Sequence, residues 1–412
     1  MSKYTFFLIA VLCSISADLL GQYKGTAAVT QGKANTTTTN LYTCTGGRIS
    51  GLGTITATDN SVWTVPAEVN FTNTAFPFSS DLHNACIGAN YANATAALAA
   101  LNGSDIVNID SDGEVITAYL FADNYFEMYI NGVAVGKDKV PFTQFNSSIV
   151  RFKVKKPFTI AIQLVDWEEN LGLGSELNGG FAYHDGDGGM VAVFKDNTNK
   201  IIAITDKNWK AQTFYTSPIT DLNCPKEIGT QRLSSDCSTQ DSNDGTKYYA
   251  LHWKKPSNWM MPSFDDSSWP NASTYSNATI GVNNKPAYTN FTDIFDNATA
   301  DAQFIWSTNV ILDNEVVVRY TVGGTTATNY LQLDENLVNV YPNPANDIIH
   351  IDYYESFDHE VQQIEIQNII GKTVFFSTQK QSKIDIQNFP KGIYFLNLSC
   401  NNGILSKKII IQ

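Results

Sequence analysis

One stretch of the chain constrains its fold more than any other feature. Residues 114–136 are rich in β-branched and aromatic side chains, break at Asp123-Asn124, and contain the dipeptide Asn131-Gly132. Asn-Gly favours a type I′ turn, because both central residues of that turn need a positive φ. The stretch therefore predicts a strand, a break, a second strand, a hairpin turn and a third strand. Similar runs at 152–154 and 159–165 extend the predicted sheet.

The composition agrees with an all-β chain and excludes several classes of protein. Only 16% of the 412 residues are charged, whereas 43% are hydrophobic and 12% are aromatic. Charged helix formers are scarce, which argues against coiled coils and favours short strands joined by turns. The net charge of -13 argues against nucleic acid as a main partner, because phosphate binding needs a basic surface.

The N-terminal residues 1–22 predict a secretory signal peptide. A basic start at Lys3 precedes a short apolar run at 6–13 and several small residues. This run is far shorter than the roughly 20 residues that span a bilayer. No other segment is long and apolar enough to do so, and we expect no transmembrane segment in the mature protein. Residues 23–40 lack apolar periodicity and predict a flexible leader.

Five cysteines remain once the signal peptide is removed, and none belongs to a C-x-x-C motif. Export places them in an oxidising compartment, where disulfides form and persist. Pairing by proximity predicts the disulfides Cys44–Cys86 and Cys224–Cys237. Cys400 is then left as a small buried residue on a strand.

The last eighty residues have their own organisation, with short strands at even spacing separated by glycine and proline. The segment carries four motifs in order: Y-P-N-P-A-N-D at 341–347, I-G-K at 370–372, K-G-I-Y-F-L at 391–396 and K-K-I-I-I at 407–411. Together they resemble the type A C-terminal sorting domain of the Bacteroidota type IX secretion system. The resemblance implies that residues 335–412 form a small Ig-like β-sandwich. The residues that carry the motif are Pro342, Asn343, Pro344, Asp347, Gly371, Gly392, Lys407 and Lys408.

A sorting domain of this kind is an export address that the outer-membrane type IX machinery recognises. The resemblance therefore implies delivery through the periplasm to the outer cell surface or the medium. It says nothing about the activity of the remaining chain, which we call the cargo. The alternative interpretation is an ordinary accessory sandwich.

The cargo resembles galactose-binding-like and PA14-like β-sandwiches in two segments, A-D-N-Y-F-E-M-Y-I-N-G at 122–132 and F-D-D-S-S-W-P at 264–270. In those domains the second segment precedes the first, whereas here it follows. The cargo is therefore either one permuted sandwich or two domains. Residues 41–220 are predicted to be the β-sandwich cargo domain, and 221–323 to be either a second β domain or the second half of that sandwich. Two domains are favoured because the second stretch begins with polar, turn-rich sequence. Residues 324–334 predict a linker to the sorting domain.

Acidic residues concentrate after the predicted strand that ends at Val165. The candidate metal ligands are Asp166, Glu168, Glu169, Glu176, Asp185 and Asp187. Calcium takes six to eight oxygen ligands and glycine permits tight curvature, so this pattern predicts a calcium site, although the full EF-hand pattern is absent. The alternative is that Asp-Gly pairs form turns and the glutamates lie on a solvated loop. Asp123 and Asn124 either contribute to this site, bind a ligand, or form a β-bulge.

The aromatic residues favour carbohydrate as the ligand, because aromatic faces stack on the C–H groups of a pyranose ring. Trp167 and Trp209 adjoin predicted loops and are the candidate sugar-binding residues, with a place in the core as the alternative. No G-x-S-x-G, H-E-x-x-H, G-x-G-x-x-G or P-loop motif occurs. The five histidines are not spaced as metal-binding pairs.

We therefore predict a secreted, non-catalytic protein that binds carbohydrate or another surface ligand in the manner of an adhesin or lectin. A glycan-degrading hydrolase is the first alternative, because its two carboxylates can be far apart in sequence. A purely structural surface protein is the second.

Overall fold

A computed structural model describes residues 23–42, 44, 48–143, 145–177, 183–240, 245–297, 300–323, 331–332, 335–354, 357, 361–369, 373–377, 379–400 and 403–412. The chain divides after residue 324 into two compact units. The predicted signal peptide, most of the predicted linker 324–334 and the motif residue Gly371 lie outside the described residues.

The N-terminal unit, which contains the cargo, is mainly β-structure. In chain order its strands are β1 (Ala28–Gln31), β2 (Asn35–Thr38), β3 (Leu52–Thr56), β4 (Val62–Val65), β5 (Ser80–Asn84), β6 (Ala89–Asn90), β7 (Ile106–Asn108), β8 (Glu114–Asp123), β9 (Tyr125–Ile130), β10 (Val133–Lys137), β11 (Ser147–Val154), β12 (Phe158–Val165), β13 (Ser175–Glu176), β14 (His184–Asp185), β15 (Gly189–Lys195), β16 (Ile201–Ile204), β17 (Lys210–Ile219), β18 (Lys226–Ile228), β19 (Gln231–Leu233), β20 (Tyr249–His252), β21 (Ser273–Tyr275), β22 (Asp296–Asn297), β23 (Ala300–Asp301), β24 (Phe304–Trp306) and β25 (Asp313–Val322). Its helices are short: α1 (Ala94–Ala99), α2 (Asn277–Ile280), α3 (Pro286–Thr289) and α4 (Thr292–Phe295).

Two large sheets form a β-sandwich in this unit. Within the described residues, one sheet has seven strands in the order β1-β20-β17-β25-β12-β9-β10. The other has nine strands, along the path β21-β24-β15-β8-β11-β5-β6 with β16 and β7 at its sides. The main hydrophobic core includes Phe126 and Val316 from the first sheet and Phe121 and Trp306 from the second. The predicted all-β sandwich is confirmed.

The hairpin predicted from Asn131-Gly132 is present. Asn131 and Gly132 have φ values of 50° and 81°, as a type I′ turn requires, and Val133 pairs with Ile130 across β9 and β10. The predicted break also occurs, because β8 ends at Asp123 and β9 begins two residues later.

The two stretches 41–220 and 221–323 do not form separate domains, which corrects the favoured interpretation. Strand β25 lies between β12 and β17, and it pairs along its length with both. Its apolar residues, such as Val316 and Val318, are buried in the same core as those of β12. The second stretch therefore completes the sandwich that the first begins.

Residues 23–40 are also more ordered than their composition predicted. They contribute β1, which pairs with β20, and β2, which pairs with β3. Backbone pairing with strands that are remote in sequence orders a segment that has no apolar periodicity of its own. The flexible leader was therefore a wrong prediction for these residues.

The seven-stranded sheet is covered on both faces, since all eight residues of β12 are buried. One face packs into the sandwich core, and the opposite face packs against Trp253, Trp259 and Trp269. These three residues belong to the segment 253–269, which we call the outer layer. Trp269, in the segment that resembles known sandwiches, is thus a buried packing residue.

Both predicted disulfides, Cys44–Cys86 and Cys224–Cys237, are formed, and Cys400 is a buried free cysteine. Among the described residues no helix is long and apolar enough to cross a membrane.

The C-terminal unit consists of two sheets around its own apolar core. Its strands are β26 (Leu331–Gln332), β27 (Val338–Tyr341), β28 (Ile348–Tyr353), β29 (Val361–Asn368), β30 (Thr373–Ser377), β31 (Lys383–Asp385), β32 (Gly392–Cys400) and β33 (Gly403–Ile411). The order is β26-β33-β32-β29-β30 in one sheet and β27-β28-β31 in the other.

Hydrogen bonds connect the first and last sequence motifs of this unit. Asn343 Nδ2 donates to the carbonyl oxygen of Lys408 at 2.8 Å, and the amide of Ile410 donates to Asn343 Oδ1 at 2.9 Å. The amide of Ile386 donates to the carbonyl oxygen of Asp347 at 2.8 Å. The Pro-Asn-Pro turn is therefore fastened to β33, which carries Lys407 and Lys408.

Candidate functional site

Four carboxylates lie close together inside the cargo, and we call Asp123, Asp166, Glu176 and Asp187 the acid cluster. Asp123 ends β8 opposite Gly189, and Asp166 immediately follows β12. Glu176 lies on β13, which pairs with β14 just before Asp187. Three separate chain segments thus bring acidic side chains to one place.

Burial and mutual repulsion raise the pKa values of the carboxyl groups in the acid cluster. Burial raises the pKa of Asp123 well above its usual range, and the charges of Asp187 and Glu176 raise it further. Burial likewise raises the pKa of Asp166, with further contributions from Glu176, Asp123 and Asp187. The pKa of Glu176 is raised by burial despite Arg48, and burial raises that of Asp187 to about 6.

One carboxylate oxygen in the cluster lacks a partner. Asp166 is 3% exposed, and its Oδ1 atom makes no hydrogen bond within the described part of the chain. The loop that faces this carboxylate must stay small, because a Cβ at Gly186 would lie 2.9 Å from Asp166 Oδ2. A buried, unpartnered carboxylate oxygen is costly, so a cation or a proton is needed to offset its charge.

The other predicted metal ligands lie beside the acid cluster and are engaged by protein groups. Glu168 accepts hydrogen bonds from the amide of Gly174 and, at 3.1 Å, from Tyr215 Oη, while burial raises its pKa to about 7. Glu169 is bonded to Arg48 and accepts from the amide of Leu177 at 2.7 Å. Asp185 is buried on β14. Across the described residues, no group of three or more His, Cys, Asp or Glu is positioned to hold a metal ion.

Arg48 provides positive charge next to the acid cluster. Its guanidinium bonds Glu176 at 2.8 Å as well as Glu169. Asn124 has a different role: its Oδ1 accepts from the amide of Trp167 at 2.6 Å, and its Nδ2 donates to Asp123. Asn124 thus fixes the chain where β12 ends and orients the Asp123 carboxylate.

The structure places Trp167 and Trp209 where neither can stack on a ligand, which corrects their prediction as sugar-binding residues. Trp167 is 1% exposed and packs edge-on against Phe71, with ring centroids 4.7 Å apart. Trp209 is fully buried and stacks on Tyr320, with ring centroids 5.3 Å apart. Both are core residues because side chains from segments remote in sequence, such as Phe71 and Tyr320, pack against their rings.

Three other tryptophans line an open cavity of about 410 Å³ at the outer layer, which we call the tryptophan cavity. Its wall is formed by β4 and by the chain that follows β20. The lining residues are Ser61, Val62, Trp63, Glu68, Trp253, Lys254, Lys255, Pro256, Ser257 and Trp259.

Each tryptophan of the cavity is held by a neighbour. Trp63 stacks on His252 by one ring face, with centroids 5.2 Å apart, and its Nε1 donates to Ser61 Oγ at 2.7 Å. Trp253 donates from Nε1 to Glu227 Oε1 at 2.9 Å. Trp259 is nearly perpendicular to Tyr129. Trp253 and Trp259 are only 6% and 4% exposed, whereas Trp63 is half-buried, so Trp63 is the indole of the three that offers most aromatic surface to a ligand.

The sequence patterns did not indicate Trp63, Trp253 and Trp259, because β4 and the chain after β20 meet only through the fold. A local signal was present at 253–259, which reads W-K-K-P-S-N-W. Two tryptophans around a Lys-Lys-Pro break in a strand pattern indicate aromatic residues beside a turn.

The chain folds into two β-units, and the C-terminal unit carries the sorting motifs. Residues 339–412 match the family described as "Secretion system C-terminal sorting domain". The protein is exported by the type IX secretion system to the cell surface or the extracellular space, and its C-terminal unit interacts with that machinery.

No curated protein matches the chain. Among solved structures, the chain is similar to a Faecalibacterium prausnitzii beta-glucuronidase at 11% identity and a TM-score of 0.16, over 94% of this chain and 45% of that one. It is similar to the Pleurotus ostreatus lectin at 11% identity and a TM-score of 0.22, over 94% and 85%. Latent PorU from Porphyromonas gingivalis gives 10% identity and a TM-score of 0.15, over 94% and 34%. The chain spans less than half of the glucuronidase, and these low similarities support no functional conclusion.

Proposed function

We propose that the cargo is a non-catalytic protein that binds carbohydrate or a related surface ligand, and that the type IX system exports it for this purpose. The observation that carries the proposal is the tryptophan cavity. Its volume of about 410 Å³ lies within the usual range of ligand pockets, and its wall combines aromatic surface with a few polar groups.

The residues that line the cavity favour binding over hydrolysis. Glycoside hydrolysis needs two carboxyl groups that flank the scissile bond. Of the described residues that line the cavity, Glu68 alone carries a carboxylate, and its Oε1 accepts from the amide of Thr64 at 2.6 Å. The half-buried indole of Trp63, with lysine and serine side chains beside it, suits a pyranose ring and its hydroxyl groups.

A glycan array with the secreted full-length chain tests this proposal. Val62 is 63% exposed at the cavity, so Val62→Arg should fill the cavity without disturbing the core. We expect the wild type to bind at least one glycan and Val62→Arg to bind it at least tenfold more weakly. Ile228→Arg is the matched control, because Ile228 is a strand residue that is 61% exposed and does not line the cavity.

Two results would contradict the proposal: no glycan bound by the wild type, or equal loss of binding in the Val62 and Ile228 variants. The first favours a purely structural protein. Release of a reducing end from a bound glycan would favour the hydrolase.

We further propose that the acid cluster binds calcium, drawing on the unpartnered Asp166 Oδ1 and on the mutual repulsion of the four carboxylates. Calcium accepts six to eight oxygen ligands with flexible geometry, and it would replace the protons that the raised pKa values imply. Asp123, Asp166, Glu176 and Asp187 are the proposed ligands, and calcium would have to draw them together, since among the described residues they are not positioned as a metal-binding group without it. Glu168, Glu169 and Asp185 lie beside them.

Thermal unfolding in calcium and in chelator tests this second proposal. A ligand at 100 times its dissociation constant stabilises the folded state by about 2.7 kcal/mol. For a unit of about 300 residues the melting temperature should then rise by about 4 °C. An equal concentration of magnesium should produce a smaller shift, because magnesium demands stricter octahedral geometry. Identical melting temperatures in calcium and in chelator would contradict the proposal.

A further inference from the structure

Lys254, Lys255 and Glu68 are the charged residues that line the tryptophan cavity, in a chain whose net charge is -13. A lysine that has no partner in the protein can hold an anionic ligand there, against the general repulsion of anions by an acidic protein.

Of these lysines, Lys255 is engaged within the protein. It forms an ion pair with Glu315 and donates to the carbonyl oxygen of Glu68 at 3.2 Å. Gln163 Nε2 also donates to Glu315 Oε1, at 2.6 Å, so Lys255 belongs to a buried polar network beneath the cavity. Its charge is offset there.

Lys254 has a different environment from its neighbour. It is exposed, and within the described part of the chain it forms neither an ion pair nor a hydrogen bond. Its ammonium group is therefore available to a ligand that lies against the tryptophans. Ser257, which is also exposed at the cavity, adds a hydroxyl group.

We infer that the tryptophan cavity binds an acidic sugar residue, with a pyranose ring against Trp63 and an anionic substituent that accepts from Lys254 Nζ. This inference rests on the proposed function, in which the cavity binds carbohydrate, and adds the charge of the ligand. Stacking supplies contact area, and the ion pair discriminates between acidic and neutral sugars of the same shape.

Matched polysaccharides test the inference with the intact secreted protein. Polygalacturonate and its methyl ester have the same sugar ring but differ in charge. We expect polygalacturonate to bind at least tenfold more tightly at low salt, and the preference to shrink as salt is added. Dextran sulfate compared with dextran repeats the test for a sulfate substituent. A preference for either anionic polysaccharide supports the inference.

Lys254→Gln should abolish the preference, so that the two polysaccharides of each pair bind about equally. Lys207→Gln is the matched control, because Lys207 is exposed and does not line the cavity. Equal binding within both pairs, or binding of neither pair, would overturn the inference. So would a Lys254→Gln variant that keeps the preference. The proposed function would survive these results if the array identifies a neutral glycan, whereas an empty array would overturn both.

Discussion

The two units differ in the polarity of their buried side chains. The cargo buries many polar and charged residues, among them Asp123, Asp166 and Glu315. Among the described residues of the C-terminal unit, the buried side chains are apolar or aromatic, apart from Cys400. Buried polar groups oppose folding unless they are paired, so the stability of the cargo depends on the charge state of its interior more than the stability of the C-terminal unit does.

The largest expected effect comes from removing the C-terminal unit. Deletion of residues 335–412 should retain nearly all of the cargo in the periplasm, because the sorting motifs lie in the deleted residues. Fractionation with immunoblotting of periplasm and medium checks this outcome. The truncated cargo should keep its own melting transition, since the two units have separate cores. Normal amounts of truncated protein in the medium would refute the prediction.

A smaller effect is expected when one buried charge is removed from the cargo. The substitution Asp166→Asn replaces a buried carboxylate by a neutral group of the same shape. In chelator at pH 8 the variant should melt at a higher temperature than the wild type, because it removes repulsion with Asp123 and Glu176. It should lose most of the stabilisation by calcium. Ile366→Val, in the core of the C-terminal unit, is the control and should leave the calcium effect unchanged. A wild-type response to calcium in Asp166→Asn would exclude this residue as a ligand.

The smallest expected effect is a pH dependence confined to the cargo. Folded-state pKa values that are raised above the unfolded values make the folded state bind more protons, so stability falls as pH rises through them. The pKa values of Glu168 and Asp138 are both raised to about 7, so the calcium-free cargo should lose stability as the pH rises from 6.5 to about 7.5. While such a group is protonated in the folded state and ionised in the unfolded state, it lowers the free energy of unfolding by about 1.4 kcal/mol per pH unit.

Melting curves in chelator at several pH values check this trend. The window begins at pH 6.5 because burial lowers the pKa of His252 to about 3, which destabilises the folded state at lower pH. The transition of the C-terminal unit should be nearly independent of pH across the same window. A melting temperature of the cargo that increases with pH in chelator would contradict the predicted direction of the pH dependence.

Local chemistry allowed much of the fold to be predicted from sequence. The hairpin at Asn131-Gly132 depends on backbone preferences of two residues, and the disulfide Cys224–Cys237 joins residues that are close in sequence. The sorting motifs are likewise contiguous. Features that depend on neighbouring residues leave a signal in the sequence whatever the rest of the chain does.

Features that depend on distant segments were predicted poorly. Trp63 and Trp253 meet at one cavity although 190 positions separate them. Trp209 was expected beside a ligand because it adjoins a loop, yet Tyr320 of β25 covers its ring. The acidic residues at 166–187 stay a prediction as metal ligands. Asp123 lies beside them because β8 pairs with β15, a contact between segments that are remote in sequence.

The position of β25 has a consequence for the order in which the cargo is assembled. This strand lies in the middle of the seven-stranded sheet, with β17 on one side and β12 on the other, yet the ribosome makes it after both. Neither β12 nor β17 can therefore meet its native neighbour on that side before residues 313–322 have been synthesised. An incomplete chain that lacks these residues cannot form the native seven-stranded sheet, however much of the cargo precedes them.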